Sequence, residues 1–515
     1  MKNNNLSAEN LQEIISQKDQ KIAELETLVK FYEGQMRLAK HRQFGQSSEK
    51  TQIPDQLGFF DEPENTAERK QPEPEIEEVT YTRKKRTGKR DEDLSGLPVE
   101  TVEYELPEDA RVCAECGNDL HTMSKEIRRE LIVVPAQVKV KEHVRHIYAC
   151  RHCEKTALNV KIVKAAMPEP VIKGSIASPS AVAHIMHQKY VMYLPLYRQE
   201  QDWLRRSVVL SRQTMANWMI KSSEDWLEPI YERLRLELLT NEVLHADETV
   251  LQVLHEPGKK ANTNSYMWLY RTSGCAERHV ALYEYQPTRS SSHPKRFLQG
   301  WQGYLHTDGY DGYHSLPGVT VVGCWAHMRR KFDEALKSLK PEERADSNAQ
   351  KGLEQCNNLF RLERAYDGLS PAEKYERRKT ESQPLAEAFF AWMENLSVLP
   401  KMPIGKAAHY AAGQRKWLEH VYLDGRLELS NNRAERSIKP FVMGRKNWLF
   451  CNTQKGARAS SVIYSVIETA KENGLNPFLY LVFLFETMPN ITISQIDTLL
   501  PWNENVRGRC AASRA

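Results

Sequence analysis

Three sets of side chains in this sequence have types and spacing that suit chemistry. The first is a pair of cysteine knuckles, Cys113-x-x-Cys116 and Cys150-x-x-Cys153, with 33 residues between them. Residues 131–148 alternate apolar and polar side chains and can form a hairpin that brings the knuckles together. Four thiolates so placed make a tetrahedral, structural zinc site with no open position. The second set is acidic: Asp247 in His-Ala-Asp-Glu-Thr, Asp308 in Thr-Asp-Gly-Tyr, and Glu435 in Asn-Arg-Ala-Glu-Arg. Carboxylates held together repel and need a cation between them, and Mg²⁺ is the hard ion for an all-oxygen set. Glu248 and Asp311 compete for this role, although on a strand Glu248 points away from the Asp247 face. The third set is basic. Arg433, Arg436, Lys439, Arg445, Lys446, Lys455 and Arg458 surround Glu435 as the one acid between residues 433 and 458, a local net charge of +6. Such a stretch fits a polyanion, though a lone Glu among bases is also an ordinary salt-bridge partner.

These groups need elements to position them. Residues 242–325 read as three strands able to form a meander (243–254, 266–270, 279–285), a short helix at 294–299, and strands at 304–306 and 319–323. That order fits a mixed sheet of the ribonuclease-H-like type. In it the first and fourth strands are neighbours, so Asp247 and Asp308 meet at one edge. His245 and His306 each stand two residues before one of these acids and share its strand face. They read as packing histidines, with support of the acids or contact with DNA as the alternatives. Cys324-x-x-His327 reads as structural support, with a metal site as the alternative.

The chain has 515 residues and a formal net charge of +4, from 72 basic and 68 acidic side chains. That average excludes a wholly basic protein, yet it conceals local blocks. Residues 61–78 carry eight acids and residues 83–90 carry six bases, a pattern of solvated linker. The longest fully apolar run, 478–485, is too short to span a membrane. With no signal-like segment in the first residues, a cytoplasmic location is expected, and the nine cysteines are then expected as ligands or core thiols.

The resulting organisation is multidomain α+β. Residues 1–45 are expected to form a coiled-coil helix, with Ala8, Leu11, Ile15, Ile22, Leu25, Val29, Tyr32 and Met36 at heptad a and d positions and Lys18 the polar exception, which predicts self-association, an amphipathic helix packed on its own chain being the alternative. A disordered linker (46–95) and the zinc ribbon (96–175) follow. Residues 176–240 form a helical, helix-turn-helix-like DNA-binding domain. There Ser211 caps a helix exposing Arg212, Gln213 and Asn217, although an ordinary three-helix packing unit has the same pattern. The ribonuclease-H-like core occupies 241–335, an all-helical insertion 336–428, the glutamate helix and its successors 429–486, and a tail of unassigned role 487–515.

Several blocks together resemble one family. They are the Cys113–Cys153 motif, Lys189-Tyr190 through Glu200, Leu244-His-Ala-Asp-Glu-Thr249, Asp308-Gly-Tyr310, Cys324-Trp-Ala-His-Met-Arg-Arg-Lys331, Asn431-Asn432 with Ala434-Glu435-Arg436, Gly444-Arg-Lys-Asn-Trp-Leu-Phe450, residues 464–471 and Leu499-Leu-Pro-Trp502. Over roughly residues 95–502 the chain resembles bacterial insertion-sequence transposases of the sixty-six family. The resemblance implies a DDE transposase with Asp247, Asp308 and Glu435 as catalytic residues holding two Mg²⁺ (or Mn²⁺) ions. It implies cleavage of DNA at the element ends, then transfer of the freed 3′-OH to target DNA, with no covalent enzyme intermediate. It also associates the zinc motif and N-terminal region with recognition of the ends, and allows for element-encoded accessory proteins. The rival readings are an inactive zinc and helix-turn-helix DNA-binding protein, and a ribonuclease-H-like nuclease or resolvase that cuts without joining.

Overall fold

A computed structural model describes residues 8–44, 101, 137–149 and 162–512. The linker and all four knuckle cysteines, Cys113, Cys116, Cys150 and Cys153, lie outside the described residues. The chain divides into two compact units, residues 1–71 with 169–511, and residues 72–168 with 512–515.

The first unit begins with α1 (Ala8–Phe44). Its heptad residues Ile15, Ile22, Leu25, Val29, Tyr32 and Met36 are exposed. Its last turns pack on a later helix, where Arg37 Nε donates to the Ser338 carbonyl at 2.8 Å. In the second unit, β1 (Ile147–Tyr148) pairs antiparallel with β2 (Val163–Lys164).

The helices α2 (Pro179–Tyr190), α3 (Leu196–Arg205) and α4 (Arg212–Ser222) follow. Ser178 Oγ caps α2 by accepting from the Ala181 amide at 3.1 Å, with Pro179 at the first helical position. Ser211 caps α4 in the same way through Thr214. The inward faces bury Ile185, Met186, Met215, Trp218 and Met219. A π-helical segment (Ser223–Leu227) joins α4 to α5 (Glu228–Leu238).

The sheet comprises β3 (Val243–His255), β4 (Asn264–Thr272), β5 (Ala281–Gln286), β6 (Gly303–His306) and β7 (Val319–Val322), with α6 (Ser292–Phe297) before β6. Its order is β5-β4-β3-β6-β7. The β3–β4–β5 meander is antiparallel, while β6 and β7 join parallel. The first and fourth strands of this sheet are therefore neighbours, as the element order predicts.

Both sheet edges are covered, which removes templates for unwanted strand pairing. Next in the chain come α7 (Trp325–Ser338), α8 (Asn348–Ala365), α9 (Pro371–Arg377), α10 (Gln383–Glu394) and α11 (Pro403–Glu419). The capping box Ser370/Glu373 starts α9 as its sequence predicts. The end of α11 closes the β7 edge: the Gly323 amide donates to the Trp417 carbonyl at 2.8 Å, and His420 Nδ1 donates to the Val321 carbonyl. Then follow α12 (Asn432–Trp448), β8 (Cys451–Thr453), which extends the sheet beside the end of β3, α13 (Gln454–Glu472), α14 (Pro477–Thr487) and α15 (Glu504–Cys510). On α13, Ser465 and Thr469 stand one turn apart and face β5. Their hydroxyls accept from the Tyr283 and Ala281 amides at 2.8 and 3.1 Å, so the helix takes the place of a missing strand.

The long apolar run lies in α14, where Tyr480, Leu481, Phe483, Leu484 and Phe485 are buried. Among the described residues no helix is long and apolar enough to cross a membrane. Part of the tail is packed: the Asn476 amide donates to the Cys510 carbonyl at 2.7 Å.

One buried acid gives a pH-dependent prediction. Glu284 on β5 is largely buried, one carboxylate oxygen has no hydrogen-bond partner, and burial pushes its pKa up to about 7 despite Gln286 and Arg296. The folded pKa exceeds the unfolded value. This group's contribution to stability is therefore fully present below pH ~4.5 and is lost as pH rises through about 7. Glu284→Gln is expected to stabilise the protein at pH 8 by on the order of 2 kcal/mol, with no gain at pH 4.5, as read from urea unfolding at both pH values.

Candidate active site

Backbone register brings the acids together. Strands β3 and β6 run parallel with Val243, Leu244 and His245 opposite Tyr304, Leu305 and His306. Continuing two residues along each chain puts Asp247 level with Asp308 on one face. The third acid arrives on α12, with Glu435 in its first turn. Asp247 reports the meeting electrically. Its carboxyl is pushed well above the ordinary range, first by burial and then by the charges of Glu248, Asp308 and Glu435, against one amide hydrogen bond from Glu248 at 2.8 Å. This like-charge crowding and the all-oxygen donor set fit a divalent hard cation.

Each acid has a holder. Asp308 Oδ1 accepts from the Tyr310 amide at 3.1 Å, and the Asp308 carbonyl accepts from Tyr410 Oη on α11 at 3.1 Å. Gly309 sits at φ +97°, a conformation that favours glycine, and a Cβ there would also press the tips of Gln414 and Tyr410 at 2.9–3.2 Å. Glu435 faces two residues of α7: Arg330 at 3.3 Å and His327 Nδ1 at 3.6 Å. Of the competing acids, Glu248 stays within reach of the charges of Asp247 and Asp308 but has its own partners, and Asp311 faces solvent. Glu248 is held by Arg289 Nε at 2.8 Å and Tyr313 Oη at 2.6 Å. Asp311 is almost fully exposed beside His314.

His245 and His306 are fully buried and stacked, with ring centres 4.4 Å apart. Asn431, also fully buried, caps the region between them and α12. Its Nδ2 donates to the Ala246 carbonyl at 2.8 Å, which leaves Oδ1 to accept from His245 Nδ1 at 3.0 Å. Its amide donates to Cys324 Sγ at 3.1 Å. His306 Nε2 accepts from the Glu428 amide at 3.3 Å, so its proton sits on Nδ1; burial and His245 hold its pKa well below the usual range. Burial would raise the Glu428 carboxyl, but His245 at 3.6 Å and Arg433 at 2.8 Å outweigh it and hold it well below the ordinary range. The histidines thus pack against the acids' strands and organise the entry to α12.

Two arginines of the site carry no motif that the sequence makes conspicuous. Arg271 on β4 is buried, pairs with Glu472 at 2.9 Å and bonds Ser437, tying the sheet to α12 and α13. Arg378 is buried between α9 and α10. It pairs with Glu363 and donates to the Val421, Asp424 and Leu427 carbonyls, fixing the segment that leads into α12. The signal for Arg271 is a charge inside the apolar strand Tyr-Met-Trp-Leu-Tyr-Arg; Arg378 has none, because its acceptors are backbone atoms 43–49 residues away.

The basic residues divide. Arg433 pairs with Glu428 at 2.8 Å, Arg445 donates to Thr249 and to the Val250 carbonyl, and Arg458 pairs with Glu228. Arg436, Lys439, Lys446 and Lys455 are exposed. On α4, Arg212, Gln213 and Asn217 are exposed on one face, with Gln213 Nε2 donating to Asn217 Oδ1 at 3.2 Å. The Arg212 guanidinium lies 5.9 Å from the centre of the Tyr197 ring, and Tyr197 lines an open groove with Leu194, Arg198, Gln201, Asp202 and Arg205.

Asp247 on β3, Asp308 just past β6 and Glu435 on α12, with exposed cations on that helix, are the residue types of a metal-dependent protein that handles a polyanion. The comparisons agree with that class and narrow it. A model described as the transposase IS66 family matches residues 174–459, and the chain belongs to this family. Models for the zinc-finger binding domain of transposase IS66, the IS66 C-terminal element and the transposase C of IS166 homeodomain match residues 110–154, 465–502 and 32–102. Among relatives, the uncharacterized protein y4jD of Sinorhizobium fredii is 29% identical over 79% of this chain and 81% of its own. The uncharacterized protein y4qI of the same organism is 31% identical over 78% of this chain and 75% of its own. Family membership supports a transposase role with DNA as the partner, and the zinc-finger match supports metal use.

Proposed function

We propose that the chain is a DDE transposase that binds the ends of an insertion sequence and catalyses metal-dependent DNA strand cleavage and strand transfer. The observation that carries this reading is the register that sets Asp247 level with Asp308, with Glu435 near enough that its charge, after burial and the charges of Glu248 and Asp308, helps push Asp247 up. The mixed sheet, with acids on its first and fourth strands and on a later helix, supports a ribonuclease-H-like core. Asp247, Asp308 and Glu435 would hold two Mg²⁺ (or Mn²⁺) ions, which when bound activate the attacking oxygen and neutralise charge on the leaving 3′ oxygen.

The chain's own residues supply the remaining steps. Tyr410 and the Tyr310 amide fix Asp308, and Arg330 holds Glu435 and partly offsets the acidic cluster. Arg436, Lys439 and Lys446 offer cations to phosphates along the helix that bears Glu435, and Lys455 does so at the start of α13, while Arg212, Gln213 and Asn217 offer base-edge contacts. The Cys113, Cys116, Cys150 and Cys153 thiolates would hold a structural Zn²⁺. The exposed heptad residues of α1 support self-association, and a cytoplasmic location and element-encoded accessory proteins complete the reading.

The test incubates purified full chain, Mg²⁺ and element-end DNA with a plasmid target. Joined product supports the proposal; cleavage without joining supports a nuclease; binding with neither supports an inactive DNA-binding protein. DNA affinity gives a separate prediction. Lys439→Ala should weaken binding and lower the slope of log K against log salt by about 1, as expected for one lost phosphate contact. Arg458→Ala should change the slope less, because Glu228 already neutralises that guanidinium. Fluorescence anisotropy across a salt series measures both.

A further inference from the structure

The start of α7 meets the first turn of α12 at a second cluster of donors. Cys324 is the residue before α7 and His327 lies one turn on. Cys324 Sγ, an imidazole nitrogen of His327 and a carboxylate oxygen of Glu435 all lie within 4.8 Å of one another. His327 Nδ1 and Glu435 Oε1 are 3.6 Å apart, and both are buried atoms with no hydrogen-bond partner. Cys324 Sγ is fully buried and receives the Asn431 amide, and a directed N–H stabilises a thiolate once its proton is lost.

We propose that Cys324, His327 and Glu435 form a binding site for a thiophilic divalent cation of the zinc type, distinct in donor chemistry from the all-carboxylate site and sharing Glu435 with it. Sulfur and imidazole nitrogen select a softer ion than Mg²⁺. Three protein ligands leave a fourth tetrahedral position for water, the count of an open zinc site. Bonds of ~2.0–2.3 Å put tetrahedral ligand atoms roughly 3.3–3.8 Å apart, so the His327–Glu435 spacing of 3.6 Å already fits, and the sulfur, within 4.8 Å of both, has to close by at most about 1 Å. Binding releases the thiol proton to water. It requires the His327 proton on Nε2, which faces Arg330 at 3.3 Å, so the half-exposed guanidinium turns outward. Resting on the proposed reaction, one consequence follows: an ion held here draws the Glu435 carboxylate away from Asp247 and Asp308, and zinc opposes Mg²⁺-dependent cleavage.

The experiment measures zinc per chain by atomic emission in the full-length protein, after loading with Zn²⁺ and dialysis, without DNA. Wild type should hold one ion more than Cys324→Ser and one more than His327→Ala, since ions at the Cys113–Cys153 motif are common to all three. In Co²⁺-loaded protein the thiolate charge-transfer band should weaken in Cys324→Ser. Equal metal content and equal spectra in proteins with matching circular dichroism would overturn the site. Should Cys324→Ser misfold, His327→Ala carries the comparison, because that side chain is partly exposed. The count is independent of activity: an extra ion in the Zn²⁺-loaded protein, together with no strand cleavage in Mg²⁺ by protein that was never loaded with Zn²⁺, would overturn the proposed function and leave this site standing. Wild type that holds the ion yet keeps full cleavage in added Zn²⁺ would overturn the competition for Glu435.

Discussion

Asp308→Asn is expected to lower Mg²⁺-dependent strand cleavage by ~10³-fold or more, equivalent to about 4 kcal/mol of lost transition-state stabilisation, while DNA affinity changes little. Asp247→Asn and Glu435→Gln should have the same effect on rate. The physical reason also makes a second, opposite prediction. Asp247 is buried among Glu248, Asp308 and Glu435, and its folded-state pKa lies above the unfolded value. That group's contribution to stability is greatest at low pH and is lost as pH rises through the folded pKa. Without added metal at neutral pH, the carboxylate therefore opposes folding, and Asp247→Asn should raise the thermal midpoint while it removes cleavage. A site kept at the expense of stability is the pattern of a functional cluster. Cleavage that survives in all three variants would sink the assignment, whatever happens to the midpoint.

The sequence made the strands legible because their apolar alternation and punctuating turns are local. The expected strand at 243–254 is observed as Val243–His255, and that at 266–270 as Asn264–Thr272. The neighbour relation of the first and fourth strands was legible as well, since few sheet orders accommodate a meander followed by strand–helix alternation. The two-residue period of a strand favours Asp247 over Glu248; Glu248 is bonded to Arg289 and Tyr313, while its charge still acts on Asp247. What stayed hidden depends on long-range partners. Ser465 and Thr469 read as ordinary helix residues until β5 is beside them. Arg433, Arg445 and Arg458 read as uniform basic charge, yet each has a partner in the fold. Spacing shows that a stretch is basic; it does not show which cations the chain has already used.

Asn431 illustrates how far a single amide can matter. It stands one turn before Glu435, and Ala246, whose carbonyl it binds, directly precedes Asp247. One side chain therefore sets the distance between the strand that carries the first acid and the helix that carries the third. Its partners are buried, so Asn431→Ala leaves the His245 Nδ1–H and the Ala246 carbonyl without bonds, at a cost of roughly 2–5 kcal/mol for the two groups. The α12 entrance should then shift. A misplacement of about 1 Å at such a site costs on the order of 10²-fold in rate, so cleavage at saturating DNA should fall by that factor with DNA affinity preserved. Asn431→Asp separates position from packing. It keeps the acceptor for His245 at nearly the same volume, but it loses the donor to Ala246 and adds a fourth buried negative charge near Asp247, Glu428 and Glu435. It should therefore not rescue activity. A variant with lowered stability but a cleavage rate within twofold of wild type would show that Asn431 only packs, and that Arg271 and Arg378 suffice to hold the glutamate helix in register with the sheet.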